Sequence, residues 1–474
     1  MWPLIGLCVV ALFIVWITHW TYKWRNPSCN GKLPPGSMGL PLIGETLELF
    51  IPGKSFDVPP FIKKRMKRYG PLFRTSLAGR PIVVSSDPEF NHFVFQQEGK
   101  LVQLWYMDSF AKLIGQDDTA TATGYVHKYL RNLVLSHFGL ETLKEKLLPK
   151  VEQMVHQSLH NWSTKESVEV KHATADMVFD LTAKNLFGFE GEKSLVNMSQ
   201  KFTNFLQGLM SFPLNIPGTT FHRCLKNQKE ALKIMKDMLL ERRDSPVKQQ
   251  EDFLDHVIED MKTEKFLTVD FVVYMMFGLL LASFETISST LTLAIILLTD
   301  HPAVVQELRE ENEAILRAKE NPDSGITWKE YKSMTFTHHV INESLRIASV
   351  APGILRKVIK DIHINGYTIP EGWTLMVVPS AIQLNPNTYE DPLAFNPWRW
   401  KDLGANLTAK NFIPFGGGMR SCAGADFSKV LMALFLHVLV TKYSWTKIKG
   451  GDVARTPALA FRNGFHIKVT EIKK

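Results

Sequence analysis

Cysteine is scarce in this chain. Four occur in 474 residues, Cys8, Cys29, Cys224 and Cys422, and no two share a Cys-x-x-Cys spacing. That excludes a visible disulfide framework or cysteine-type metal site and fits a reducing, cytosol-facing compartment. No Gly/Ser linker, low-complexity run or internal repeat divides the chain. Length alone suggests about three domains, and the missing boundaries leave one large helical domain equally open. Basic runs with interleaved aromatics are also lacking, which argues against nucleic acid as a partner. The net charge of +8 then calls for another anionic surface, either membrane headgroups or an acidic protein. Charge is absent altogether from Met1 to Tyr22.

That uncharged stretch is nearly all apolar from Leu4 to Ile17, with Trp2, Trp16 and Trp20 placed for two interfaces and Lys23 and Arg25 directly after it. About twenty such residues span a bilayer, and the following cations put the remainder in the cytosol. A cleaved signal peptide is the competing reading, but a charged n-region and a small-x-small site are both missing. Leu33 to Pro41 carries Pro34, Pro35 and Pro41, which block helix and predict a stiff extended spacer.

The chain is organised around Phe415-Gly416-Gly417-Gly418-Met419-Arg420-Ser421-Cys422-Ala423-Gly424. Three consecutive glycines make a loop that lies flat against something bulky. From Ala425 the apolar residues recur at helical spacing, so Cys422 sits just before a helix N-terminus, where a thiolate is favoured. A lone buried cysteine after a turn is the plain alternative; a thiolate ligand to haem iron is the functional one.

Upstream, Leu72–Leu77 and Pro81–Ser86 read as a hairpin. Gln103 to Thr123 reads as irregular, either a substrate cover or a surface loop. His127 and Arg131 share a helix face and suit a carboxylate or simply a solvated basic face. Helices are expected over Leu143–Trp162, Ala173–Phe187 and Asn227–Arg243, with a break at Phe212–Thr219. Val269 to Thr299 is the longest apolar run. A second transmembrane helix is one reading, but Ser283, Glu285, Thr286 and Ser288 at its middle would be costly in lipid and suit the wall of a cavity. Thr327 to Glu330 is a capping box opening a helix that carries Glu343 and Arg346. Strands are expected at Asp361–Ile364 and Tyr367–Ile369 around an Asn-Gly turn, at Trp373–Val378, and in a last hairpin after Thr456–Phe461.

The spacing Phe-x-x-Gly-x-Arg-x-Cys-x-Gly, met at Phe415, Gly418, Arg420, Cys422 and Gly424, resembles the haem-binding signature of the cytochrome P-450 superfamily. Ala282, Glu285 and Thr286 resemble its central-helix acid–alcohol pattern, with Ser283 in place of the usual glycine. Phe395-Asn396-Pro397-Trp398-Arg399-Trp400 resembles its second signature. The resemblance implies a mainly α prism with small β-sheets, preceded by one transmembrane helix: residues 1–22 as anchor, 23–45 as hinge and 46–474 as catalytic domain. It implies haem b ligated by Cys422, propionate contacts from Arg131 and Arg356, a less certain role for His127 where many members have Trp, and a buried triad of Glu343, Arg346 and Arg399. Glu285 and Thr286 would manage protons. Electrons would come from NADPH through a cytochrome P-450 reductase at the endoplasmic reticulum membrane.

Leu33–Pro41, Pro217-Gly218-Thr219 and the Phe412–Gly418 loop are similar to a plant clan oxidising brassinosteroids, sterols and triterpenoids, and within it Ser283-Phe284-Glu285-Thr286 and Phe395–Trp400 most resemble plant family eighty-seven. That implies hydroxylation, or successive side-chain oxidation ending in C–C cleavage. The pocket candidates are Trp105, Phe110, Phe212, Ala282, Phe284, Ile354 and Leu459. Two other classes remain: a haem enzyme catalysing a non-oxygenase rearrangement, against which Glu285-Thr286 speaks, and a non-catalytic sterol-binding membrane protein, which leaves Cys422 and the arginines unexplained.

Overall fold

The computed structural model describes residues 2–53, 55–115, 122–189, 198–209, 214–245, 252–321 and 324–473. Its axis is the helix Val269–Asp300. Thr268 caps it, accepting a hydrogen bond from Phe271 N at 3.2 Å, and His301-Pro302 ends it. Length and hydropathy would let it cross a membrane, yet 72% of its most apolar window is buried by protein. Helices Val170–Phe187, Thr220–Asp244, Thr335–Ala348 and Ala425–Lys442 pack around it. Its buried hydroxyls are satisfied within the helix: Thr292 donates to Ser288 O at 2.7 Å and Thr290 to Thr286 O at 3.0 Å. The cavity-wall reading holds and the second-span reading does not.

The five-stranded sheet runs β1-β2-β8-β5-β3, with β1 Leu72–Leu77, β2 Arg80–Ser85, β3 Val102–Leu104, β5 Ile354–Val358 and β8 Thr374–Val377. Only β2–β8 is parallel. A three-stranded sheet joins β4 Val168–Glu169, β10 Ala458–Glu471 and β9 Tyr443–Thr456. In the β6–β7 hairpin (Ile362–Ile364, Tyr367–Ile369) both Asn365 and Gly366 have positive φ, 49° and 76°, as a two-residue primed turn requires.

Three expectations change. Gln103–Thr123 is not irregular where described: β3 pairs with β5, and Asp108–Ile114 is helical. The helix Met198–Leu209 was not foreseen. Thr456–Ala458 is itself the tip of the last hairpin, since Thr456 faces Ala458 and the strands run back to Tyr443 and Glu471. Phe212, expected in the pocket, lies outside the described residues.

The apolar helix Trp2–Arg25 is exposed from Ile5 to Trp20, and its end is docked. Trp24 packs on the cluster of Met38, Leu72 and Trp373 and donates from Nε1 to Met38 O at 3.3 Å. The proline-rich stretch is therefore no free spacer. Arg74 N donates to Pro35 O at 2.8 Å and Thr368 N to Lys32 O at 2.7 Å, which stitches the stretch to β1 and β7.

Candidate functional site

The loop before the helix Ala425–Lys442 is shaped by one close approach. Gly418, at φ +65°, would place a Cβ 2.1 Å from Phe95 O, so no other residue fits without moving that backbone. A turn of 3₁₀ helix follows over Gly418–Arg420. Cys422 N donates to Phe415 O at 2.9 Å and closes the loop, while Gly424 immediately precedes the helix. The Cys422 thiol is exposed, at the bottom of surrounding protein. Burial pushes its pKa up, against the Gly424 backbone and the Arg131 charge. Burial thus works against the thiolate that the helix N-terminus favours.

Three cations converge beside the loop. From the helix Gly124–Phe138, Arg131 donates to Ser421 O at 2.6 Å and to Ser421 Oγ at 3.2 Å. Arg420 Nε donates to Glu98 Oε1 at 2.9 Å. Arg356, on β5, lies 3.1 Å from Glu98 Oε2, but with angles that leave both atoms without a hydrogen bond. Burial lowers the Arg356 pKa against the pull of Glu98. His127 is half-buried; burial and then Arg420 and Arg131 lower its pKa, so it faces the cluster as a neutral donor. Three guanidiniums against one carboxylate leave an excess of two positive charges.

Haem b would bring two propionates and an iron that needs a protein ligand. The two-charge excess, the unsatisfied Arg356 Nε and the exposed thiol in a glycine loop fit that group. Cys422 would hold the iron, and Arg131, Arg356, Arg420 and His127 the carboxylates. Phe415 lies under the Lys429 ammonium, 5.7 Å from the ring centroid.

On the central helix, Ala282 and Thr286 are exposed although Leu281, Phe284 and Ile287 are buried. Thr286 Oγ1 donates to Ala282 O at 2.9 Å. Phe284 points the other way. It is fully buried, edge-on to Phe179 at 5.8 Å and Phe202 at 5.9 Å, so its pocket assignment is overturned: two residues along a helix is about 200°, the opposite face. Glu285 turns to a third side. Its Oε2 accepts from Lys171 Nζ at 2.8 Å and its Oε1 from Ser289 Oγ at 3.1 Å. Lys171 also donates to Ser288 Oγ at 2.7 Å, and burial lowers its pKa against the attraction of Glu285.

Of the other pocket candidates, Ile354 comes close to the loop, its Cδ1 3.8 Å from where a Gly416 Cβ would stand. Phe110 stacks at 5.2 Å on Tyr106, and Trp105 lies under Arg80 at 5.6 Å. Leu459 is half-buried on β10 beside the main core.

The triad forms with both Glu343 and Arg346 fully buried. Glu343 Oε1 lies 2.8 Å from Arg346 and 3.0 Å from Arg399, and Trp400 Nε1 donates to Glu343 Oε2 at 2.9 Å. Arg346 reaches on to Gln383 O, whose side chain accepts from Ile413 N at 3.0 Å. This is the physical link from triad to thiol loop.

Glu98 and Lys171 escape a reading of the sequence. Lys171 carried one signal: it lies in the first turn of the helix Val170–Phe187, where a cation opposes the macrodipole and so needs a partner elsewhere. Glu98 carried none.

A Cytochrome P450 family model matches residues 34–468. The chain is 50% identical over 471 residues to cucurbitadienol 11-hydroxylase of Siraitia grosvenorii, covering 99% of both chains. It is 49% identical over 476 residues to beta-amyrin 16-alpha-hydroxylase of Maesa lanceolata, covering 100% of both. Among solved structures it superposes on the retinoic acid-bound cyanobacterial CYP120A1 with TM-score 0.83 and 27% identity, over 94% of this chain and 100% of that one. The thiol loop, the fold and a family match over nearly the whole length agree, and the chain belongs to the cytochrome P450 family.

Proposed function

We infer that this haem-thiolate monooxygenase hydroxylates a triterpenoid or a sterol in plant metabolism. The observation that carries the substrate class is the near-complete alignment with hydroxylases of cucurbitadienol and beta-amyrin at 49–50% identity. The apolar and aromatic side chains of Ile354, Leu459 and Phe110 support it, since a large apolar ligand gains most from apolar contacts.

Iron held by a thiolate supplies the activation of O2. The protein's own residues do the rest. Arg131, Arg356, Arg420 and His127 fix the cofactor by its carboxylates, and the Glu343–Arg346–Arg399 triad holds the loop that presents Cys422. Thr286, on the exposed face with Ala282, offers a hydroxyl to the reacting side; releasing Ala282 O frees its proton for transfer. Glu285, beside Thr286 in the chain and paired with Lys171 and Ser289, would pass protons toward that hydroxyl. Ile354 and Leu459 exclude water and orient the substrate.

Electrons come from NADPH through a membrane-bound flavoprotein reductase, and the enzyme works at the endoplasmic reticulum. The exposed apolar helix ending at Lys23 and Arg25 supports residues 1–22 as anchor, 23–45 as hinge and 46–474 as the cytosolic catalytic domain.

The test is the carbon-monoxide difference spectrum of reduced microsomal protein, followed by titration of the ferric form with a panel of triterpenes and sterols. A long-wavelength Soret band, lost in Cys422→Ala, with a high-spin shift from one triterpene and its hydroxylated product on turnover, is expected. A folded protein that binds haem but shifts with none of the panel sinks the substrate class.

A further inference from the structure

A groove of about 460 Å³ opens where the docked end of the apolar helix meets the body. Asn26, Cys29 and Lys32 line it from the connecting stretch, Arg74 from β1, and Tyr367 from β7. The volume is that of a small-molecule site. Its walls are built rather than draped. Arg74 Nη1 donates to Pro34 O at 3.1 Å and Arg74 N to Pro35 O at 2.8 Å. Thr368 N donates to Lys32 O at 2.7 Å, and the Lys32 ammonium sits 5.5 Å from the Tyr367 ring centroid.

Both charged lining residues are cations, and no carboxylate lines the groove among the described residues. Arg74 Nη1 is taken by Pro34 O and its Nε is buried, so what Arg74 offers the groove is positive charge. A guanidinium beside an ammonium favours an anionic headgroup over a neutral one. Position selects the source of that headgroup. The groove begins at Asn26, one residue past the end of the helix Trp2–Arg25, and Trp24 fixes that end against the body. If the helix crosses a membrane, the groove lies at headgroup depth on the side marked by Lys23 and Arg25, where the cytoplasmic leaflet is anionic.

We propose that this groove is a headgroup site for one anionic phospholipid, its net negative headgroup held by Arg74 and Lys32 against Tyr367. The site would set the height and tilt of the catalytic domain on the membrane through a lipid contact separate from the anchor. It does not depend on the substrate or on the reaction.

Full-length protein in detergent, exchanged into equal mixtures of phosphatidylserine and phosphatidylcholine, is examined by native mass spectrometry for retained lipid. One phosphatidylserine is expected to be retained over phosphatidylcholine by about fivefold, the factor for one interfacial cation. Lys32→Glu is expected to abolish the preference, because its side chain is exposed while its backbone stitch to Thr368 remains. Lys32→Gln reads the same loss if the charge reversal impairs folding. Arg25→Gln, outside the groove, is expected to keep it. Equal retention of the two lipids overturns the proposal. So does equal loss in Arg25→Gln, which would mark a diffuse basic collar, or saturation of the wild-type site by inorganic phosphate alone, which would mark a free-anion site.

Discussion

Which side of its helix a side chain takes decides its chemistry in the middle of this enzyme. Ala282 and Thr286 share the exposed face, Phe284 the core face and Glu285 the side held by Lys171. The sequence shows the acid–alcohol pair but not the phase of the helix, and so Phe284 was misassigned. Phe284→Ala is expected to destabilise the fold by about 3–5 kcal/mol, read by thermal unfolding, while leaving the ligand-induced spin shift intact. A pocket residue would do the reverse. Lys171 was hidden for another reason, being 114 positions from Glu285 in the chain. Lys171→Met is expected to slow turnover about a hundredfold with haem content unchanged, and Lys171→Arg to restore most of it. The pH dependence has a definite sign. Burial lowers the Lys171 pKa, so the ion pair is lost from the alkaline side earlier than an exposed lysine would lose it. A kcat profile with its alkaline limb moved upward in Lys171→Arg is the expected result.

At the scale of elements, the thiol loop stands on charges it never touches. Removing one partner of a buried pair leaves the other unpaired, at about 3–5 kcal/mol. Arg346→Ala is therefore expected to release haem at lower temperature and to convert the thiolate spectrum to its inactive form, although Arg346 reaches the loop only through Gln383 and Ile413. The triad was legible through the resemblance and not through spacing: Glu343 and Arg346 are one helical turn apart, as such pairs are in many helices, and only the likeness of Phe395–Trp400 to the family's second signature pointed to Arg399 as the third charge. The Asn365-Gly366 hairpin was legible for a local reason. Glu98 was not: it meets Arg420 across 322 positions, and nothing near it in the chain marks a buried carboxylate. His437, on the helix that follows Cys422, is buried against Asn312 Oδ1 at 2.8 Å. Burial, helped by Lys319, His156 and Lys442 and opposed by Glu330, brings its pKa from 6.5 down to about 4. Above pH ~6.5 the imidazole is neutral in both states. As the pH falls from there toward 4 the unfolded chain binds a proton that the folded chain refuses, so stability drops, by about 3 kcal/mol at full extent. His437→Asn is expected to flatten that acid slope in unfolding measurements.

Over the whole molecule, the charge of +8 acts at a distance that single contacts do not. Opposite net charges speed encounter and lose that advantage once salt shortens the screening length to about 10 Å at 0.1 M. The rate of first-electron reduction by an acidic reductase is expected to fall steeply with ionic strength in stopped-flow experiments, while the spin shift with a neutral triterpenoid stays flat. Net charge was legible from composition. The docking of the apolar helix onto the body through Trp24 was not, because a tryptophan near an interface reads the same whether it faces lipid or protein.

Arg455 closes the molecule in a way that concerns its biosynthesis. Fully buried, with burial bringing its pKa down to about 10, it donates to Ile347 O, Ala348 O and Ser349 O at 2.9–3.0 Å. These are the terminal carbonyls of the helix that carries Glu343 and Arg346, made more than a hundred residues earlier. A ribosome delivers the chain from its N-terminus, so that helix emerges with its last turn uncapped and waits for β9. The triad can assemble only provisionally until then. Folding of the haem loop is thereby timed to the completion of nearly the whole polypeptide, and nascent chains stalled before Arg455 should remain unable to hold the cofactor, whatever part of the Cys422 loop they already contain.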